Sequence, residues 1–112
     1  MHQPNKLSII IPAYNEAATI AQVLQKVLAV ALLEGLVKEI IVVDDCSTDS
    51  TKEKVLQFTN QNTSSEIIFV EHSINKGKGA SIHTGIQKAT GDFIIIVAIF
   101  IVGVEDSFDG RR

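Results

Sequence analysis

The sequence predicts an α/β domain: a parallel sheet with helices on both faces. Three observations predict it. Four short runs, at residues 7–11, 39–43, 66–70 and 92–96, are apolar and rich in β-branched residues, without the alternation of a half-exposed strand. Between them lie stretches whose apolar residues recur at helical spacing. The segments after the first three runs are polar or carry residues of special geometry, as expected at the carboxyl edge of such a sheet, where ligands bind.

Leu7-Ser8-Ile9-Ile10-Ile11 reads as a buried strand that Pro12 stops. Asn15 suits a helix N-cap, and Glu16 suits the positive end of the helix dipole. Ile20, Val23, Leu24, Val27, Leu28 and Ala31 then mark one apolar stripe, predicting a helix over about 16–33 that Gly35 terminates. The second strand, 39–43, runs into Asp44-Asp45. Ser50-Thr51-Lys52-Glu53 has capping-box spacing, so a second helix starts near Ser50, with Val55, Leu56 and Phe58 as its apolar face. Residues 60–65 form a polar loop before the third strand, 66–70. Asn75-Lys76-Gly77-Lys78-Gly79 is a glycine-rich turn. Ile82, Ile86 and Ala89 mark a third helix closed by Gly91, and the fourth strand begins at Asp92.

A chain of 112 residues with 46% apolar composition is one domain by size. It buries roughly two-thirds of its unfolded surface and needs no covalent staple. A net charge of −3 argues against nonspecific nucleic-acid binding. Aromatic content of 5% with no Trp leaves little for base-stacking platforms. The single cysteine, Cys46, excludes an internal disulfide framework and a multi-cysteine metal site, and points to a reducing compartment. Residues 1–6 are polar with no apolar segment of signal-peptide length behind them. The longest apolar run, 93–104, is about half of the ~20 residues a spanning helix needs. These features predict a soluble, cytoplasmic domain.

Three segments gather candidate chemistry at one edge. Asp44-Asp45 either caps and turns the chain or presents a carboxylate to a base N–H or a cation. Neighbouring aspartates project differently, so one faces the cleft and the other supports the loop. Tyr14 offers a flat ring to a nucleobase or packs with its hydroxyl satisfied. Lys76 and Lys78 flank a turn that opens a helix, which is either a phosphate-binding arrangement or a solvated turn. It is not a Walker loop, since Gly79 follows Gly77-Lys78 where Ser or Thr is required, and the third glycine of a dinucleotide fingerprint is absent. His72 and His83 lack a metal-ligand constellation and read as surface or packing residues. Cys46 and Ser47 have no partner that would make them nucleophiles.

Together the blocks at 7–16, 39–51 (EIIVVDDCSTDST) and 75–93 (NKGKGASIHTGIQKATGDF) resemble family 2 glycosyltransferases of the GT-A fold, in the style of polyprenyl- and dolichyl-phosphate sugar transferases. The resemblance implies the Rossmann-like, nucleotide-binding half of that fold. It implies a UDP- or GDP-sugar donor, Mg²⁺ or Mn²⁺ as cofactor, a polyprenyl-phosphate or glycan acceptor, and peripheral membrane association of the full-length relative. By position, Pro12, Tyr14 and Glu16 would line the nucleotide pocket, Val43 and Asp45 would hold the base, and Asp44 would shape the loop. Lys76 and Lys78 would lie near the donor diphosphate.

Three positions depart from the family. Cys46 stands where it usually has Gly, and His83 where related sequences often carry Arg. The family's Asp-x-Asp, which holds the metal against the diphosphate, belongs directly after the fourth strand. Here that strand runs into Val97-Ala98-Ile99-Phe100-Ile101-Val102, and the next carboxylates are Glu105, Asp106 and Asp109. The expectation is therefore a donor-binding half over 1–96 followed by a divergent tail over 97–112, as a frameshifted or truncated reading frame would produce. The catalytic residues are unassigned, and a nucleotide-binding remnant without transfer activity is the alternative to an active transferase.

Overall fold

The computed structural model describes residues 5–30 and 35–99. Along the chain it forms β1 (Lys6–Ala13), α1 (Ile20–Ala29), β2 (Val37–Asp44), α2 (Thr51–Gln61), β3 (Glu66–Glu71), α3 (Lys78–Lys88) and β4 (Phe93–Ile96). The strands are all parallel, in the order β3-β2-β1-β4. The predicted element order holds. Glu105, Asp106 and Asp109 with the rest of the tail beyond Ile99, the polar residues 1–4 and the end of the first helix at 31–33 all lie outside the described residues.

Strand pleating divides the core between two layers. Leu7, Ile9, Ile11 and Ala13 of β1 and Ile40 and Val42 of β2 join Ile20, Leu24 and Val55 in one buried cluster under α1 and α2. The opposite face carries Ile10, also fully buried, against α3. Helix α3 turns its small residues to the sheet: Ser81 and Gly85 are the buried positions, while Ile86 is 44% exposed. The stripe expected from Ile82, Ile86 and Ala89 is thus not the packed face. A Cβ on Gly85 would overlap Ile10 Cγ2 and lie 3.1 Å from Cγ1, so the helix backbone approaches as closely as glycine permits. In α2, Leu56 is likewise exposed, and Thr51 and Val55 are the buried residues.

Two boundaries differ from expectation for identifiable reasons. Strand β1 continues through Pro12 to Ala13. Ile10 accepts at its carbonyl from Val97 N–H, so the even-numbered backbone groups of β1 point toward β4, which ends at Ile96 before reaching Pro12. The missing proline donor therefore breaks no ladder bond. Helix α1 begins at Ile20 rather than near Glu16, and Asn15 is not its N-cap. Asn15 adopts φ +52°, a left-handed conformation that Asn tolerates. The N–H groups of Asn15, Glu16 and Ala17 are captured by Ser47 Oγ, Thr51 Oγ1 and Asp49 Oδ2 instead of starting a helix. The Ser50 side chain makes no cap bond to α2. Asp49 Oδ1 accepts from Thr51 N–H at 2.9 Å in its place.

One buried charge ties the sheet together at the end opposite its carboxyl edge. Glu39, with no exposed surface, accepts from Ser8 Oγ at 2.6 Å, Thr90 N–H at 2.9 Å and Thr90 Oγ1 at 2.6 Å, and pairs with Lys6 Nζ at 3.2 Å. Burial alone would raise its carboxyl pKa, but these donors outweigh it and hold it at about 2. Strand β4 forms one edge of the sheet. Phe93, Ile94, Ile95 and Ile96 are each 44–50% exposed, so the run reads correctly as a strand but not as a covered one among the described residues.

Candidate functional site

The carboxyl ends of β1 and β2 and the start of α3 enclose an open cleft of about 290 Å³. Its walls come from Pro12, Ala13, Tyr14 and Glu16 after β1, Asp45 after β2, Asn75, Gly77, Lys78 and Ser81 around the start of α3, and Ile99 beyond β4. The structure thus brings Pro12, Tyr14, Glu16, Asp45 and Lys78 together. Val43 is fully buried within β2 and does not line the cleft, Asp44 turns inward to the loop, and Lys76 is exposed on the turn outside it.

The two aspartates divide their work. Asp44 accepts from the Ser47 hydroxyl, a contact within its own loop. Asp45 is 4% exposed and anchors the α3 approach. Its Oδ1 accepts from Lys76 N–H and its Oδ2 from Gly77 N–H, each at 2.8 Å. Gly77 sits at φ +97°, which only glycine adopts without strain. His72 completes the arrangement. Its Nδ1 lies 2.8 Å from Asp45 Oδ1 and its Nε2 2.8 Å from Thr84 Oγ1. An ionised carboxylate only accepts, so Nδ1–H donates to Asp45, while Nε2 pairs with the Thr84 hydroxyl. Burial would raise the Asp45 pKa, but the bonds from His72, Lys76 and Gly77 hold it below the usual carboxylate range.

Glu16 carries the opposite shift. Desolvation raises its carboxyl pKa, the Asp49 charge adds to this, and the Thr19 hydroxyl and Lys78 ammonium oppose it. Tyr14 is 45% exposed, with its ring available at the cleft mouth. Sequence reasoning did not single out Ala13, Ser81 or Ile99 as cleft residues, and it read His72 as a surface or packing residue. The position of His72 just past the third strand, at the same edge as Asp45, was the signal available for it.

The loop between β2 and α2 is locked to the loop after β1. Asn15 Oδ1 accepts from Thr48 N–H at 2.8 Å, and Asn15 N–H donates to Ser47 Oγ at 2.8 Å. Within this loop Cys46 adopts φ +65°. A left-handed residue with a Cβ carries a cost that glycine avoids, which accounts for the expected glycine at this position. Cys46→Gly is expected to stabilise the fold by about 0.5–1 kcal/mol, after allowing for the greater unfolded-state freedom of glycine. Chemical denaturation of the two proteins checks this, and a loss of stability would contradict the strain assigned to Cys46.

Among the described residues no group of three His, Cys, Asp or Glu side chains is placed to hold a metal ion. The cleft contains two carboxylates, Glu16 and Asp45, and both oxygens of Asp45 already accept backbone N–H groups. After β4 the chain presents Val97, Ala98 and Ile99. This donor set does not fit Mg²⁺ or Mn²⁺.

A parallel sheet that gathers an acidic residue and a glycine-started helix at its carboxyl edge has the arrangement at which α/β domains bind ligands. Residues 8–98 match the model of Glycosyl transferase family 2, and the chain belongs to that family. It is 32% identical over 91 residues to glucosyl-3-phosphoglycerate synthase of Mycobacterium tuberculosis, covering 81% of this chain and 28% of that one. It is 33% identical over 90 residues to the undecaprenyl-phosphate 4-deoxy-4-formamido-L-arabinose transferase of Salmonella paratyphi A, covering 80% of this chain and 27% of that one. The mannosyltransferase PcManGT from Pyrobaculum calidifontis, solved with GDP-Man and Mn²⁺, superposes with a TM-score of 0.75 at 26% identity, covering 86% of this chain and 29% of that one. TarS of S. aureus, solved with UDP-GlcNAc, gives a TM-score of 0.73 at 27% identity, covering 91% and 30%. The chain therefore spans under a third of the length of these relatives. The fold is that of the N-terminal portion of GT-A structures.

Proposed function

We propose that the cleft binds the nucleotide of a UDP- or GDP-sugar, and that this chain is the donor-binding part of a glycosyltransferase passing the sugar to a lipid-phosphate or glycan acceptor. The observation that carries the reading is the meeting of the exposed Tyr14 ring, the Asp45 carboxylate and the start of α3 around one cleft. Tyr14 supplies a stacking surface for the base. Asp45 Oδ2 has one bond from Gly77 and retains lone-pair capacity for a ring N–H. Relatives solved with GDP-Man and UDP-GlcNAc support the donor class, and the undecaprenyl-phosphate transferase supports a lipid-phosphate acceptor.

A second reading, nucleotide binding without transfer, is favoured by one observation: Val97-Ala98-Ile99 occupies the place after β4 where the resemblance calls for Asp-x-Asp. Calorimetric titration of the 112-residue chain with UDP and GDP tests what the two readings share. Asp45→Asn is expected to weaken binding about tenfold or more, the worth of a hydrogen bond to a charged group. Tyr14→Ala, at an exposed position that leaves the core intact, is expected to weaken it about fivefold. No binding by the parent chain, or equal binding by both variants, would overturn the assignment. Release of sugar from UDP-glucose or GDP-mannose by this chain favours transfer; intact binding without release favours the second reading.

A further inference from the structure

We propose that this cleft grips the nucleoside part of its ligand and gains nothing from a diphosphate or a divalent cation. The inference rests on the nucleotide reading above and narrows it to one chemical part of the ligand.

The charged side chains lining the cleft are Glu16, Asp45 and Lys78, a formal sum of −1. Lys78 acts electrostatically on Glu16, so its charge is already partly offset. Lys76, the other candidate cation, stands exposed on the turn and does not line the cleft. A diphosphate entering this site meets net negative charge. Relatives have been solved with Mn²⁺ together with GDP-Man or UDP. Among the described residues the donor set does not fit such a cation.

The wall beyond β4 reinforces the point. Strand pairing sets Ile96 opposite Ile10, and Val97 N–H donates to Ile10 O at 2.9 Å. The chain then continues along β1 and places Ile99 in the cleft with Pro12 and Ala13. An isoleucine side chain solvates no phosphate oxygen. It does suit the flat, weakly polar surface of a base or a ribose carbon edge. Of the features lining the cleft, the Tyr14 ring, the remaining lone-pair capacity of Asp45 Oδ2 and the Asn75 amide, which also donates to Asp45 O, suit a nucleoside. At about 290 Å³ the cleft is also small for a ligand site, where volumes of roughly 300–1,000 Å³ are usual.

The test is a titration series on the 112-residue chain: uridine, UMP and UDP, then guanosine, GMP and GDP, each with EDTA and with Mn²⁺. Within the favoured base series the three ligands are expected to bind within about threefold of one another, and Mn²⁺ is expected to change none of them by more than about twofold. Glu16→Gln removes one negative charge and is expected to raise diphosphate affinity relative to nucleoside affinity by about threefold at low salt. Diphosphate binding more than about tenfold tighter than nucleoside, or a comparable gain with Mn²⁺, would overturn the inference and leave the nucleotide assignment standing. Absence of binding by every ligand would overturn both.

Discussion

Glu39→Gln lowers the stability of the fold by about 2–3 kcal/mol at neutral pH, because it removes a buried charge from donors arranged around it. Ser8, Thr90 and Lys6 all converge on this carboxylate, and through Thr90 it holds the connection from α3 into β4. The pH dependence carries a sign. The Glu39 pKa falls from an ordinary 4.5 to about 2 on folding. A depressed carboxylate contributes its stability in full above its unfolded value and loses it as the pH drops through the folded value. The parent chain should therefore lose stability between about pH 4.5 and 2 in excess of the variant. Urea denaturation of both proteins across that range measures the difference. Equal stability at pH 7 together with parallel acid profiles would show that Glu39 is not the tie described.

Gly85→Ala destabilises the fold by about 2 kcal/mol despite a gain in helix propensity of about 1 kcal/mol, because overpacking a close helix–sheet contact outweighs it. The added methyl lands on Ile10 Cγ2 in a fully buried layer. The cause is separable by a double-mutant cycle. Ile10→Ala alone costs about 2–5 kcal/mol through the cavity it leaves. In the double variant the methyl at position 85 enters that space, so the combined loss should fall short of the sum by about 1 kcal/mol or more. Additive losses would place the effect of Gly85 elsewhere, and thermal unfolding of the four proteins decides it.

What the sequence made legible follows from which interactions are local. The β-branched runs of β1, β2 and β3 and the helical spacing of α1 are properties of a few neighbouring residues, so element order and parallel class were readable. Asp45 and Tyr14 were readable as cleft residues because they directly follow strands at the ligand-binding edge. Features set by contacts between distant segments were not. Asn15 has the chemistry of an N-cap, yet its side chain serves the loop at Thr48 and Asp49, and nothing within its own segment reveals that. Ile86 has the spacing of a buried residue, but Ser81 and Gly85 allow the closer approach and take the packed face. Val43 and Lys76 were carried into the site by their place in the family blocks. The first is buried in the sheet, and the second gives its backbone N–H, not its ammonium, to Asp45. His72 lacked a sequence partner because Asp45 and Thr84 reach it only in the fold.

The most direct test of the proposed nucleotide site is the ¹⁵N–¹H amide spectrum of the chain, recorded while uridine and guanosine nucleotides are added to saturation. Binding at the cleft predicts concerted shifts of the Tyr14, Asp45, Gly77 and Ser81 amides with a single dissociation constant. It also predicts little change around the groove of Leu28, Lys38 and Ser65 at the opposite end of the sheet. Shifts centred on that second groove, or a spectrum unchanged at saturation, would contradict the account.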